Sequence, residues 1–430
     1  MMLKKFKKMK ITIPHIHKIE GEAGFWAKVT KEGKIEELKL KTLEGLRQIE
    51  GILIGRRFFE VPMVVSRVCG ICPVVHILNA CSALEKALNV KVSKQTILLR
   101  RLMLANQIIQ SHTLHLFFMS LADFFNIEND LDLIKKFPKE SKAALQIRDF
   151  SLKILKTVGG RAIHPITPIV GGFSKLPDKK EISEILKDYD KTLESSFILA
   201  NLFKNLDYPA FKRKIIFTSL ASKNEYPFYE TNLILVNGKK ISIGDFYSTK
   251  IEEDLRTPPI KKVKYKGKPY ILGAIARMSN NFKFLNPQAK KVFKGFTENK
   301  KEIFKNIFYN LFFQVIEVLH FLEESQKIIK EILEIGLKKE TSPEVRIQPA
   351  SGLSAMEAPR GTLFTYFELD KKGRVFNCNI VTPSAQFLNN LEEDLRVFLP
   401  QILKLSQKEK IRKIRSLIRI YDPCISCATH

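Results

Sequence analysis

Cysteine is scarce here: six thiols in 430 residues cannot form the disulfide framework of a small secreted scaffold. Tryptophan occurs once, and no stretch rich in glycine, serine or proline marks a linker between domains. No internal repeat and no low-complexity tract appears. No segment reaches the roughly 18 consecutive apolar residues of a membrane span. Residues 1–14 are basic but lack the apolar core and small-residue cleavage site of a secretory signal. Together these absences point to a soluble chain in a reducing compartment, with no linker to divide it.

What is present is a large reserve of apolar residues, 45% of the chain, enough to build a sizeable core. The formal net charge of +27 raises the question of nucleic acid, because clustered lysine and arginine release counterions from phosphate. The basic residues are instead spread along the chain and mixed with glutamate. The short groups at 261–268 and 408–419 carry no nucleic-acid module, and the same enrichment suits a thermophilic source. No nucleic acid is expected as a partner.

The first 45 residues read as strands: 11–13, 25–29 and 35–40 alternate or concentrate β-formers around a turn at 31–34. From about Ser66 the period becomes helical, over 77–89 and 93–126, then near 140–157, 180–205, 287–336 and 386–418. A mixed stretch at about 206–285 holds strand-like runs at 215–220 and 232–236. A further strand pair is expected through 362–382, around the turn 370–373. The fold class is α+β and mainly helical: a long-helix bundle with small N-terminal and peripheral sheets. One domain over 1–430 is expected, with an N-terminal β region (about 1–45), a helical core (about 66–205 and 287–418), the mixed insertion (about 206–285) and a C-terminal motif at 422–430.

The chemistry concentrates in two motifs near opposite ends of the chain. ArgValCysGlyIleCysProValValHis at 67–76 holds Cys69 and Cys72; AspProCysIleSerCysAlaThrHis at 422–430 holds Cys424 and Cys427. Two thiols separated by two residues can turn toward one ion, and four thiolates make a soft site for zinc, iron–sulfur or another thiophilic metal. On spacing alone, a closed zinc site stapling the chain ends fits equally well. Cys81 and Cys378 lack such partners and read as buried small hydrophobes.

With these motifs stand HisLysIleGluGly at 17–21, LeuArgGlnIleGlu at 46–50, GlnSerHisThrLeuHis at 110–115, ArgAlaIleHisPro at 161–165, GlyGlyPheSerLysLeuPro at 171–177, TyrLysGlyLysProTyr at 265–270 and GluAlaProArgGly at 357–361. In this order they resemble the large, catalytic subunit of nickel–iron hydrogenases, especially the cytoplasmic NAD(P)-linked and sulfhydrogenase alpha group. The resemblance implies reversible heterolytic cleavage of H2, with Cys69 and Cys424 as terminal nickel ligands. Cys72 and Cys427 would bridge nickel to an iron carrying CO and cyanide. It implies Glu20 as the proton gate, which otherwise reads as an exposed strand-end carboxylate, with a cysteine of the second pair passing it the proton. Arg360, next to Pro359, would overhang the metals, and Asp422 would orient it. His76 would hydrogen-bond the bridging Cys72, and Ser384 a cyanide. His430, Glu50 and a backbone carbonyl near Ile380 would hold magnesium or iron. His112 and His115 share a helix face, and packing beside the site is the simpler reading.

The same resemblance implies partners. This chain's cysteines are used up at one site, so no iron–sulfur cluster belongs to it and an iron–sulfur small subunit must carry the electrons. Flavin, NAD(P)-reductase and ferredoxin-like subunits would follow, and a maturation chaperone and a protease would act where an extension beyond His430 exists. The loop around His164 and Gly171–Gly172 would face the small subunit. Lys18, Glu22, Ser111 and Phe387 depart from the common pattern; Ser111 suits the cytoplasmic branch. Two other classes remain open: a non-catalytic relative such as the large subunit of respiratory complex I, and a zinc-stapled structural protein. All four cysteines are present, against the first.

Overall fold

The alternating N-terminal segments pair as an antiparallel sheet of Met9–Ile13, Ala23–Val29 and Ile35–Thr42 in that order, with Ile11, Ile13, Phe25, Ala27 and Leu38 turned inward. This is the period-two pattern of a sheet with one solvated face. The structure is a computed structural model that describes residues 9–45, 48–250, 260–298, 302–340 and 343–430. Leu46 and Arg47 of the 46–50 motif, and 251–259 of the mixed stretch, lie outside the described residues.

The centre is a bundle of long helices. Lys94–Leu114 is buried on nearly every side and packs against Pro138–Gly159 and Asn310–Ile335, while Tyr189–Lys204 covers the last two. Burial on nearly every side places Lys94–Leu114 at the middle of the bundle, where polar side chains such as Arg100 and His112 are engaged by hydrogen bonds, with Glu85 and Glu317. Its start is fixed by Ser93, whose hydroxyl accepts from the Thr96 amide at 3.0 Å, a normal N-cap. It continues as one wide π turn, His115–Ser120, and a tight 3-10 turn, Leu121–Phe124.

Several elements differ from the periodic reading. The stretch 180–205 is two helices, Lys179–Leu186 and Tyr189–Lys204. The stretch 287–336 is Pro287–Thr297 and Asn310–Ile335, and 386–418 is Pro383–Ile402 and Gln407–Ile420. The last break is chemical: Ser406 accepts from the Glu409 amide, and Glu409 returns a bond to the Ser406 amide, a capping box that starts a new helix. Four strands among the described residues also join the expected ones, two of them the short pair Pro168–Ile169 and Gly172–Phe173. Lys239–Ser242 turns back on Leu233–Val236 through Asn237-Gly238, and Ala350–Ala358 pairs with Gly361–Leu369 on the side opposite Val375–Val381.

The three-stranded 350–381 sheet carries the helix Pro73–Ala87 on its face, and thereby the first cysteine pair. Asn79 fastens the two, its amide donating to Leu363 O at 3.0 Å and Thr365 Oγ1 at 2.9 Å. Gly352 permits the approach: a Cβ there would lie 2.0 Å from the Ala83 carbonyl oxygen. Gly352→Ala is therefore expected to destabilise the protein by about 1–3 kcal/mol, the usual cost of overpacking. A thermal shift assay of the purified variant checks this, and an unchanged melting temperature would contradict it.

Candidate active site

Each cysteine pair is set by a helix start. The 3-10 turn Ser66–Val68 delivers Cys69 in an extended conformation, and Cys72 is the residue before the helix Pro73–Ala87, whose first position is a proline. The amides of Ile71 and Cys72 point at Cys69 Sγ, 3.3 and 3.4 Å away. Gln107 accepts from the Val74 and Val75 amides and Gln110 donates to Ile71 O, so the long central helix braces this loop. The second pair follows helix Gln407–Ile420. Asp422 takes a left-handed conformation, and Tyr421–His430 runs inward with every residue buried.

The four sulfurs converge. Cys69 and Cys424 are 3.5 Å apart, Cys72 and Cys427 are 3.4 Å apart, and all four lie within 4.8 Å of one another. None is in a disulfide. Hydrogen bonds from Cys424, Cys427 and Cys72 hold the Cys69 thiol well below its ordinary value, whereas burial pushes those of Cys424 and Cys427 well up. Four thiolates so close and so buried cannot ionise together without a multivalent cation among them, so the donor set suits a thiophilic metal centre. Cys81 and Cys378 stand apart, each pushed up to about 12 by burial.

Arg360 lies beside this cluster, at the tip of the hairpin between Ala350–Ala358 and Gly361–Leu369. Its Nε donates to Asp422 O at 2.6 Å and its Nη2 to Asp422 Oδ1 at 2.8 Å. Against the penalty of burial, Asp422 and the nearby thiols keep the guanidinium charged. Arg360 Nη1 and Asp422 Oδ2 are buried and have no hydrogen-bond partner among the described residues. Open positions on buried charged groups, beside a cluster of thiols, offer room for a ligand, ion or water to bind.

Glu20 approaches along the C-terminal segment. Its backbone forms a parallel bridge with Cys424 and its carbonyl accepts from the Ile425 amide at 2.9 Å. Its carboxylate accepts from Cys424 Sγ at 2.8 Å and from the Ser426 hydroxyl and amide. Burial, and then the charge on Cys69, raise the Glu20 carboxyl above its ordinary value. Gly21, at φ +79°, allows the tight passage: a Cβ there would sit 2.9 Å from Ile425 Cβ and 3.0 Å from the Ser426 amide. Glu20 is thus no exposed strand-end carboxylate.

The remaining site residues from the sequence also gather here. His76 Nε2 lies 3.7 Å from Cys427 Sγ, which is itself 3.4 Å from Cys72 Sγ, so the ring stands beside this pair of sulfurs. Ser384 Oγ accepts from the Cys424 amide at 2.9 Å, which leaves its hydrogen to donate elsewhere. Pro359 O accepts from Arg277 Nη2 at 3.0 Å. His430 Nε2 is 2.9 Å from Ile380 O and 3.9 Å from Glu50 Oε1, so imidazole, carbonyl and carboxylate converge. Lys261 joins them, its ammonium 2.6 Å from Glu50 Oε1.

His112 bonds Glu317 at 2.8 Å and His115 bonds Gln314 at 2.7 Å, so both are engaged in packing. Of the departures from the common pattern, Lys18 pairs with Asp130 at 2.6 Å, and Ser111 is buried. Phe387 packs on Tyr421, with ring centroids 5.5 Å apart. Ser426 and Gln110 were not singled out as site residues, although both stand inside motifs that were quoted.

Fold and site together define an enzyme built on a buried tetrathiolate metal centre. A family model described as nickel-dependent hydrogenase matches residues 47–158 and 220–430. The sulfhydrogenase 1 alpha subunit of Pyrococcus furiosus is 29% identical over 425 residues, covering 98% of this chain and 97% of that one. The beta subunit of the NAD-reducing hydrogenase HoxS of Cupriavidus necator is 24% identical, covering 98% of this chain and 94% of that one. The solved structure of an NAD+-reducing [NiFe]-hydrogenase in its H2-reduced state superposes with a TM-score of 0.87 at 22% identity, over 98% of this chain and 99% of that one. The Ni-Fe-Se hydrogenase from D. vulgaris Hildenborough superposes with a TM-score of 0.80 at 22% identity, over 98% and 100%. The chain belongs to the nickel-dependent hydrogenase family. It is the large catalytic subunit, an oxidoreductase acting on hydrogen, and its four cysteines are placed to bind the metal centre.

Proposed function

We propose that Cys69 and Cys424 bind nickel terminally and that Cys72 and Cys427 bridge it to an iron bearing CO and cyanide, all within one catalytic unit formed by the whole chain. Such a centre supplies heterolytic cleavage of H2. The observation that carries this reading is the buried thiol cluster flanked by two groups a closed zinc staple has no use for. Arg360 has an open Nη1, and Glu20 accepts a hydrogen bond from a cluster thiol.

In this reading Glu20 receives the proton at Cys424 Sγ, to which it is already hydrogen-bonded, and Ser426 keeps its carboxylate aimed there. Arg360, oriented by Asp422 and following the rigid Pro359, presents a fixed positive charge to the metals. His76, beside the Cys72–Cys427 pair, tunes the bridging thiolates, and Ser384 both holds Cys424 and donates to a cyanide. A magnesium or iron ion at Glu50, the Ile380 carbonyl and His430 would tie the C-terminal segment to the sheet; Lys261 would have to yield part of its contact with Glu50 to admit it.

Electrons must leave through another chain, an iron–sulfur small subunit. Apolar side chains exposed at Ile52, Ile54, Phe59, Ile163 and Ile166 support such a partner, because several lie near the segment that delivers Cys69 and His164 bonds Ser66 O at 2.8 Å. The loop with Gly171–Gly172 would belong to the same face. The NAD-reducing relative supports onward transfer to NAD(P). Flavin and ferredoxin-like subunits, a cytoplasmic setting, and metal insertion by a chaperone with any processing protease belong to the same proposal. Among the described residues, no helix is long and apolar enough to cross a membrane.

Anaerobic purification with metal analysis and infrared spectroscopy tests this. Nickel and iron together, with CO and cyanide stretching bands, are expected. Zinc alone would overturn the reading in favour of a structural staple.

A further inference from the structure

Behind Arg360 lies a charged cluster that none of the metal-site roles uses. Arg277, on helix Ala274–Asn281, is completely buried. It is held by Glu317 of the Asn310–Ile335 helix through two contacts of 2.6 Å, and by Glu357 through one of 2.9 Å. Both glutamates are also fully buried. Glu317 is braced by the Tyr226 hydroxyl at 2.6 Å and His112 Nε2 at 2.8 Å, and Glu357 by the Thr362 hydroxyl and the Leu220 amide, both at 2.8 Å.

The rest of the Arg277 guanidinium is spent on two backbone carbonyls. Nη1 donates to Ala358 O at 2.9 Å and Nη2 to Pro359 O at 3.0 Å. These are the two peptide units immediately before Arg360, at the tip of the hairpin. The other side of the tip is closed as tightly, since a Cβ on Gly273 would stand 3.1 Å from Arg360 O. Ala358 is the last paired residue of its strand, opposite Gly361, and a planar fork with fixed donor directions is suited to hold its carbonyl and that of Pro359 at once.

We propose that Arg277 is a positioning residue of the hydrogenase reaction. Clamped by Glu317 and Glu357, it fixes the Ala358–Pro359 backbone so that the Arg360 guanidinium is presented to the metal-binding thiols in one orientation, with Asp422 anchoring the far end. Glu317 and Glu357 act at one further remove, and their burial prevents Arg277 from choosing another partner. The inference rests on Arg360 serving the metal centre, and it adds the support that makes a single placement of Arg360 possible.

Arg277→Lys keeps the charge for both glutamates but cannot span two carbonyls. With nickel and iron content unchanged, it is expected to lower hydrogen-dependent dye reduction about ten- to hundred-fold, the scale of a misplacement near an ångström. It should also shift the infrared bands of the metal-bound diatomic ligands in the same sense as Arg360→Lys. The two losses should not multiply: in an Arg360→Lys background, Arg277→Lys should add little. Wild-type bands and turnover in loaded Arg277→Lys, or a fully multiplicative loss in the double variant, would overturn the proposal. Where Arg277→Lys fails to fold or load, Glu357→Gln, which retains its size and one of its two acceptor oxygens, is read by the same bands and the same double variant. Wild-type turnover in Arg360→Lys alone would instead remove the role of Arg360 on which the inference rests.

Discussion

Cys427→Ser is expected to abolish hydrogen-dependent dye reduction and to leave the protein without a stable nickel complement. Cys427 Sγ is packed against Cys72 Sγ at 3.4 Å and is one of the four clustered thiols, so its loss leaves three. A serine hydroxyl is a hard, protonated oxygen where a soft thiolate is wanted. Loss of an outer-shell partner alone costs about 10–100-fold in metal affinity or activity, so loss of a ligand should exceed a hundred-fold. The fold itself should survive, because the substitution is nearly isosteric and the segment stays fastened by Thr382 Oγ1 to Cys427 O at 2.9 Å and by Ser384 to the Cys424 amide. Metal analysis, dye reduction and circular dichroism on one preparation separate these outcomes. Full nickel with full activity would exclude Cys427 from the centre.

The contrast between the two cysteine pairs and their supports shows what a sequence can and cannot carry. The CxxC spacing was visible because both thiols of a pair sit on one local turn, whereas its use was not: zinc and a catalytic centre share it. The N-terminal sheet was legible because one face is buried and the other wet, and the bundle helices because apolar residues recur at three and four. Strand Ala350–Ala358 escaped, since its small residues, Ala350, Ser351, Gly352, Ser354 and Ala355, have little strand preference; they are there to let helix Pro73–Ala87 come close. The break before Gln407 carried its signal in Ser406 and Glu409, and the Asn237-Gly238 turn announced the hairpin it makes.

The network of Arg277, Glu317 and Glu357 was beyond reach for a different reason. Its members lie on separate elements and obey no spacing, and a buried glutamate is written with the same letter as an exposed one. The nearness of His76 to Cys427, 3.7 Å from its Sγ, was equally beyond spacing: residues 72 and 76 stand one helical turn apart and suggest contact, but the second thiol arrives from the other end of the chain.

Glu20→Gln should suppress turnover by about 10²–10⁴-fold, the usual range for losing a positioned general acid or base. Glutamine preserves the size of the side chain and can still accept from Ser426 and Cys424, so the parallel bridge between Glu20 and Cys424 and the metals should remain. What disappears is the capacity to take a proton from sulfur 2.8 Å away and release it. Burial and the charge on Cys69 raise the Glu20 carboxyl, which brings it closer to a thiol's proton affinity than an exposed glutamate would be. Glu20→Asp retains the acid but withdraws it by one methylene, and it should recover only part of the activity. Measuring nickel, iron and dye reduction for both variants tests the chain of reasoning: a Glu20→Gln protein with full metals and full turnover would route the proton elsewhere, and one without metals would make Glu20 a structural support of Cys424 instead.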